Sequence, residues 1–279
     1  MAALLALAGA ACWGVGDFCG GIASRRTAVL VVLAISQGVG LAGVLAWALV
    51  SGDTFPGVVP LLPAAAGGAA GVLGLAALYR GFAIGAMGIV APISAAWPIA
   101  PLAVDAARGI VPSTLQWLGI GLVIVGIVAL SREGAATGRS RLSAGAGLAL
   151  LAAVGFGGFI VGLDAGADES ANWAVAAARA TSVTLAVAIA LLTATSLRPT
   201  RSRGVLPLIV ACGLFDTGAN VLVAIASNRI PVGVVAVLGA LYPILTVVLA
   251  RIVLGERLSR GKRLGGVVAL TGAALVASG

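Results

Sequence analysis

The hydropathy pattern constrains this chain more than any other feature, because apolar runs of about 20 residues follow one another along its length. A helix of about 20 residues, rising about 1.5 Å per residue, spans the hydrocarbon core of a bilayer. Charged or turn-forming residues separate ten such runs, and a count of eight stays open because the breaks at 80–85 and 228–231 are short. The predicted spans are 2–22, 28–50, 58–80, 84–106, 113–131, 143–164, 172–195, 205–227, 231–252 and 261–278. The sequence therefore predicts an all-α integral membrane protein with ten transmembrane helices.

Composition excludes a soluble globular domain. Of the 279 residues, 61% are hydrophobic and 9% are charged, whereas soluble domains average about 45–50% apolar and about 25% charged residues. The 17 Lys and Arg residues lie mostly in the breaks between apolar runs, so nucleic acid is not an expected partner. We expect a small-molecule solute and membrane lipid as partners of a monomer or homodimer. We place it as a multi-pass protein of the cell membrane, in bacteria the inner membrane.

Few residues are available for catalysis or metal binding. The chain has no histidine, and Cys12, Cys19 and Cys212 lie inside apolar runs without the spacing of a zinc site or disulfide framework. We therefore expect no catalytic residue, no metal and no cofactor. Any proton coupling has to use a carboxylate, because the commonest near-neutral proton carrier is absent. The first run lacks a preceding Lys or Arg and is interpreted as a transmembrane helix, with a cleaved signal peptide as the alternative.

The two halves of the sequence repeat each other weakly on either side of a charged linker. Segment 88–98 aligns with segment 233–243 at one constant offset, which brings Trp97-Pro98 onto Tyr242-Pro243. Chance similarity in an Ala, Gly and Val-rich chain is the alternative. The predicted organisation is a first five-helix repeat at 1–131, a linker at 132–142 and a second five-helix repeat at 143–279.

An odd number of spans in each half makes the repeats inverted, so that a pseudo-two-fold axis in the membrane plane relates them. Such an arrangement exchanges inward-facing and outward-facing states almost by symmetry. The repeat therefore favours a transporter over a membrane enzyme or a structural protein.

Four motifs carry a family resemblance. They are Trp13-Gly14, the Ala-rich stretch that ends at Tyr242-Pro243, the turn Leu254-Gly255-Glu256-Arg257-Leu258, and the glycine-spaced last run. With them the chain resembles the EamA family of the drug/metabolite transporter superfamily over most of its length, although segment 109–112, where the first half would carry the turn, lacks the glutamate. The resemblance implies two five-helix bundles around a central cavity. It also implies a secondary transporter for efflux of small polar metabolites, amino-acid-like or other small solutes.

Charge predicts the orientation, and the resemblance predicts the opposite one. Thirteen Lys and Arg residues follow odd-numbered spans and two follow even-numbered spans. By the positive-inside rule the odd connectors are cytoplasmic and both termini lie outside. The family resemblance implies cytoplasmic termini, so the orientation stays open.

Charged residues inside the spans are the candidate solute site. A charge at mid-membrane costs at least about 2.5–3.5 kcal/mol, so such residues normally pair or face a wet cavity. Asp216 and Asn220 share one helix face in span eight, Arg179 lies in span seven, and Gln37 lies near the equivalent place in span two. We predict that these four bind the solute, which would be anionic or zwitterionic. The alternative is a structural Asp216–Arg179 ion pair.

Three further residues complete the predicted site. Asp17, one turn from Trp13, is the candidate for proton coupling, and pairing with Arg25 or Arg26 is the alternative. Trp97 and Tyr242 stand beside equivalent prolines, which break helical hydrogen bonds. We predict that both aromatics line the cavity, and interfacial anchoring is the alternative.

Other classes of function remain. A membrane-embedded enzyme or flippase acting on lipid-linked substrates would need a cluster of polar residues at a membrane surface, whereas the longest connectors hold mostly Arg with Gly and Ser. A receptor or assembly subunit would be expected to carry a soluble domain or a long tail.

Overall fold

A computed structural model describes residues 1–24, 26–83, 94, 96–131, 139–197, 204–254 and 260–278. Over these ranges the chain forms α-helices joined by short connectors, with one 3-10 turn at Val59–Leu61 and no β-strand. The α-helices are α1 (Ala2–Ser24), α2 (Val29–Val50), α3 (Leu62–Ala83), α4 (Ile99–Ala107), α5 (Thr114–Ser131), α6 (Arg139–Gly166), α7 (Ala171–Leu192), α8 (Val205–Ser227), α9 (Val232–Gly239), α10 (Tyr242–Leu254) and α11 (Arg260–Ser278).

Parts of the sequence predictions fall outside these residues. They are residues 84–93 and 95 of the fourth predicted span, which include most of the first segment of the repeat match, the 255–258 portion of the Gly-Glu-Arg-Leu turn, linker residues 132–138, and Arg25.

Six helical segments are long and apolar enough to cross a membrane. They are Ala2–Ser24, Val29–Val50, Val59–Leu78, Gly147–Gly166, Ala171–Leu192 and Val205–Ser227. Shorter apolar segments accompany them in both halves of the chain. The predicted all-α, multi-pass membrane architecture is confirmed, whereas the count of ten transmembrane helices stays a prediction.

The predicted span 231–252 is broken in the middle. α9 ends at Gly239, a turn follows, and α10 begins at Tyr242. Pro243 has no N–H to donate to the carbonyl four residues earlier, so a continuous helix would lose a hydrogen bond at this point. In the first half, α4 likewise begins directly after Trp97-Pro98. In both halves a helix therefore begins at an aromatic-proline pair.

Helices from the two halves of the chain pack in matched pairs. α1 packs on α8 and α6 packs on α3, while α2 packs on α7, α4 on α9, and α5 on α11. If the first five predicted spans are exchanged with the last five, the pairs α1–α8 and α6–α3 become each other, and each of the other three pairs becomes itself. The packing is therefore the pattern that two similar halves related by a two-fold axis would give.

Glycines bring the backbones of these helix pairs together. Between α3 and α6, a Cβ added at Gly74 would lie 3.1 Å from Gly155 Cα, and one added at Gly162 would lie 2.8 Å from Gly67 Cα. Alanines and Phe159 complete the contacts around these glycines. Such close approach is the usual way in which helices associate in lipid, where apolar side chains gain nothing by leaving the solvent.

Polar contacts hold together the end of the bundle whose connectors carry few arginines. Arg108 Nη1 pairs with Asp164 Oδ2 at 2.9 Å, and Asn228 Nδ2 donates to the Ala167 carbonyl at 2.8 Å. We call this the arginine-poor end, and its connectors are 51–58, 108–113, 167–170 and 228–231.

The loop after α2 joins the same end. Asp53 Oδ2 accepts hydrogen bonds from Ser170 Oγ at 3.0 Å and from Asn172 Nδ2 at 2.8 Å. Trp173 Nε1 donates to the Asp53 carbonyl at 3.2 Å, and its ring meets Phe55 edge to face. The start of α7 is therefore fixed to the start of α3 across the midpoint of the sequence.

The opposite end, where the arginine-bearing connectors lie, is joined by apolar contacts. Ala23 at the end of α1, Val32 in the first turn of α2, and Val205 and Ile209 at the start of α8 form one buried cluster. The described helices therefore alternate in direction, as the sequence predicts. Which end faces the cytoplasm stays a prediction.

Candidate functional site

A polar cluster lies among the apolar helices α2, α7 and α8. Arg179 Nη2 forms an ion pair with Asp216 Oδ2 at 2.7 Å. Gln37 connects to both charges, since its Nε2 donates to Asp216 Oδ2 at 3.4 Å and its Oε1 accepts from Arg179 Nη1. The structure thus brings three of the predicted site residues together. The Asp216–Arg179 ion pair, which the sequence analysis gave as the alternative, is present in the structure.

Small residues on α2 and α8 allow this cluster to form. A Cβ added at Gly213 would collide with the Ser36 carbonyl, and one added at Gly40 would collide with the Thr217 hydroxyl. The two backbones are therefore nearly in contact, one residue before Gln37 on α2. Short separations of this kind place the amide of a glutamine within reach of a carboxylate on the neighbouring helix.

α7 is positioned by a similar approach to α3. A Cβ added at Gly68 would collide with the Ala178 backbone, and Ser182 Oγ donates to the Gly68 carbonyl at 3.1 Å. Ala178 directly precedes Arg179, so this contact fixes where the arginine side chain leaves α7. The Arg179 guanidinium is therefore directed towards α2 and α8.

The accessible charges of the site are carboxylates. The Arg179 side chain is 6% exposed and that of Asp216 is 30% exposed, while Asp17 on α1 is exposed. The residue before Asp17, Gly16, packs against α8, where an added Cβ would lie 3.3 Å from the Asp216 backbone nitrogen. Asp17 forms no ion pair with any residue that the structure describes, so the alternative pairing with Arg26 is not observed.

A second cluster, of aromatic and amide groups, lies next to the charged one. Trp13 Nε1 donates to Asn220 Oδ1 at 3.0 Å, and the Trp13 and Trp97 rings meet edge to face with centroids 6.3 Å apart. Gly239, at the end of α9, leaves room for both rings. Trp97 is therefore buried against protein rather than placed as an interfacial anchor. Asn220 is also buried, and its carbonyl oxygen is bonded to the Trp13 indole.

Tyr242 begins the second helix of the broken span and is half-buried. A Cβ added at Gly14 would lie 2.8 Å from the Tyr242 carbonyl. Thr246 Oγ1 donates to the carbonyls of Gly14 and Tyr242, at 3.1 and 3.2 Å. The predicted substrate-binding residues thus form two adjacent groups, with Asp216 and Asn220 one turn apart on α8 as the link.

Two features of the site were not predicted from the sequence. Trp13 was singled out only as part of a motif, and its hydrogen bond to Asn220 joins residues that are 207 positions apart in the sequence. The second feature is Asp105, which is buried and whose Oδ2 accepts from the Gly233 N–H at 2.6 Å. Nothing in the sequence around either residue indicates this contact.

The described residues hold no group of three or more His, Cys, Asp or Glu side chains that could bind a metal ion. The chemistry available is therefore that of one guanidinium, two carboxylates, two amides and an aromatic wall. Such groups can bind and release a polar solute or a proton.

The chain is similar to known proteins in both sequence and fold. Residues 1–132 and 143–278 each match the model of the EamA-like transporter family. A solved crystal structure, whose description names no function, has a TM-score of 0.80 and 17% sequence identity, and the alignment covers 99% of this chain and 96% of that one. At that identity the likeness concerns the fold alone. No curated protein matches the chain.

Proposed function

Because this chain belongs to the EamA-like transporter family, we propose that it is a secondary transporter which exports a small polar metabolite by alternating access between two inverted five-helix repeats. The observation that carries the proposal is the polar cluster of Arg179, Asp216 and Gln37 inside apolar helices, with the exposed Asp17 on the neighbouring helix α1.

The cost of this cluster supports a functional role. Each charge at mid-membrane costs at least about 2.5–3.5 kcal/mol on insertion scales, and three charged side chains lie here. An ion pair between Arg179 and Asp216 offsets part of that cost, but Asp17 has no partner among the described residues. A carboxylate without a partner among the described residues is a group that can bind a polar solute or a proton.

Matched helix pairs support the inverted repeats. The family match falls on both halves of the chain, and the pairs α1–α8 and α6–α3 are exchanged by swapping those halves. Ten transmembrane helices, five in each half, are the count that makes the halves inverted.

The polar contacts at the arginine-poor end suggest which gate is closed. Arg108–Asp164 and Asp53–Asn172 tie connectors together there. These contacts would close the transporter at the arginine-poor end. Under the positive-inside rule that end lies outside the cytoplasm, where an exporter releases its solute.

Growth of a sensitive bacterial host tests export. Cells that express the protein would be grown across toxic amino-acid analogues, nucleosides and cationic drugs. We expect resistance to one class of compound, and loss of that resistance in Asp216→Asn and Arg179→Ala. Asp168→Asn, in an exposed connector, is the matched control and should keep resistance.

Two results would count against the proposal. Resistance that both site variants retain would remove Asp216 and Arg179 from the pathway. A well-folded protein in the membrane that gives no resistance to any compound would argue against export.

A further inference from the structure

We propose that an apolar groove on the surface of the helix bundle holds an acyl chain of a membrane phospholipid, and that the acidic mouth of the groove selects an ammonium headgroup, as in phosphatidylethanolamine. The groove is separate from the polar cluster of Arg179, Asp216 and Gln37. The inference therefore goes beyond the proposed transport function and does not depend on it.

The groove lies between α2, α7 and the start of α3, and we call it the α2–α7 groove. Its volume is about 320 Å³, which is within the range of pockets that bind small molecules. Its described lining is entirely apolar or aromatic and includes Leu41, Leu45, Phe55, Leu62, Trp173 and Ala180. The Trp173 indole N–H is already bonded to the Asp53 carbonyl. These lining residues therefore offer a polar solute no free side-chain donor or acceptor.

Lipid hydrocarbon is the medium that this groove meets. α2, α7 and the segment Val59–Leu78 are three of the six described segments that are long and apolar enough to cross a membrane. Phe55, Leu62 and Ala180 are exposed at the surface of the bundle, so the groove opens sideways from these spans. Because the core of a bilayer contains no water, lipid chains fill an opening of this kind.

Aromatic residues place the mouth of the groove at the membrane–water interface. Trp173 lies in the first turn of α7, and Trp47, which is 59% exposed, lies in the last turn of α2. Tryptophans at the ends of spans are typical of the headgroup level. From Trp173 to Ala180 the groove follows α7 for about 10 Å at the helical rise. An acyl chain that enters at the interface can therefore follow the groove into the hydrocarbon core.

Carboxylates lie beside the mouth. Asp53, whose carbonyl holds the Trp173 indole, accepts a hydrogen bond at its side chain from Ser170 Oγ at 3.0 Å. Glu169 directly precedes Ser170 and is exposed. Neither carboxylate forms an ion pair with any residue that the structure describes. The mouth is therefore negatively charged, which attracts an ammonium group and repels an anionic headgroup.

The arginines at this end of the bundle do not reverse that charge. The two connectors beside the groove, 51–58 and 167–170, contain no Lys or Arg. Arg108 is already paired with Asp164 at 2.9 Å. Arg229 lies in the connector between α8 and α9, and neither of those helices lines the groove. The charges beside the groove are therefore those of the carboxylates.

Fluorescence quenching by brominated lipids tests the proposal. The full chain would be placed in vesicles of phosphatidylethanolamine and phosphatidylglycerol in which only one of the two lipids carries bromine on its acyl chains. The quenching of Trp173 is the difference between the unmodified protein and Trp173→Phe, and it measures the association of the brominated lipid with the groove. We expect phosphatidylethanolamine to associate about threefold or more tightly than phosphatidylglycerol.

Variants separate the headgroup from the acyl chain. Asp53→Asn combined with Glu169→Gln removes both charges and keeps the side-chain oxygens, so the ratio of the two lipids should fall to about one. Ala180→Leu fills the exposed part of the groove and should lower the association of both lipids about twofold or more. Ala46→Leu, on an exposed part of α2 outside the groove, is the matched control and should change neither quantity.

Several results would overturn the proposal. Equal association of the two lipids, a preference for phosphatidylglycerol, or a preference that survives the charge variant would remove the ammonium headgroup. An unchanged association in Ala180→Leu would remove the acyl chain from the groove. Quenching of Trp173 by neither lipid, in a protein that is dimeric in detergent, would mean that a second copy covers the groove. None of these results bears on transport, which the growth assay tests separately.

Discussion

Replacing Asp216 with leucine is expected to destabilise the protein more than replacing Arg179 with methionine, although both changes break one ion pair. Asp216→Leu leaves a guanidinium that is 6% exposed without its carboxylate. Because a guanidinium cannot lose its proton in a protein, we expect a cost of about 3–5 kcal/mol. Arg179→Met leaves a carboxylate that is 30% exposed and can take up a proton, so we expect about 1–3 kcal/mol.

The double variant should cost less than the sum of the two single changes. Two apolar side chains then replace two charges, which is often nearly neutral. What remains is Gln37, whose amide bonds to both residues in the native protein. A buried amide without partners costs about 1–3 kcal/mol, so adding Gln37→Met should restore about that amount.

Unfolding of the purified protein in detergent, followed by circular dichroism against rising SDS, would measure these differences. Asp164→Leu is the matched control, because its partner Arg108 has a side chain that is 47% exposed and water can solvate it, so about 0–1 kcal/mol is expected. A larger cost for Arg179→Met than for Asp216→Leu, or single costs that add in the double variant, would refute the reasoning.

Three further changes test other contacts, each by the same unfolding measurement. Gly213→Ala should cost about 1–3 kcal/mol through collision with the α2 backbone, whereas Gly218→Ala, where an added Cβ meets nothing within 4 Å, should be neutral or stabilising; equal costs would contradict the packing. Asn220→Leu should cost about 1–3 kcal/mol because the buried Trp13 indole loses its acceptor, and an unchanged stability would exclude that bond. Asp53→Ala should cost about 1–2 kcal/mol through two lost side-chain hydrogen bonds; no loss would mean that this loop is not fixed to α7.

The helices could be predicted from the sequence because lipid imposes a length on every apolar run. The run at 205–227 illustrates this, since it coincides with α8. Asp216 and Arg179 could be predicted as partners or site residues for the same reason, because a charge inside such a run is too costly to be left alone.

Contacts between distant segments could not be predicted in this way. Trp13 and Asn220 are 207 positions apart, and nothing in the local sequence of either helix indicates the other. Neutralisation of Arg179 was left open as an alternative, and only the side-chain positions show that Gln37 shares both charges. Hydropathy gives the depth of a residue in the membrane, but its neighbours depend on how the helices are rotated.

The glycine-lined contact between α3 and α6 and the polar contact between α1 and α8 occupy equivalent places in the two halves. Glycines bring the backbones together in both, but the first adds only Phe159 and alanines, whereas the second also carries Asp17 and Asp216. After duplication of a gene, one copy of an interface can thus keep a packing role, while the other copy acquires polar side chains. Random mutagenesis with selection for new solutes should therefore recover its gain-of-function changes at α1 and α8, and should find at α3 and α6 almost nothing but loss of the folded protein.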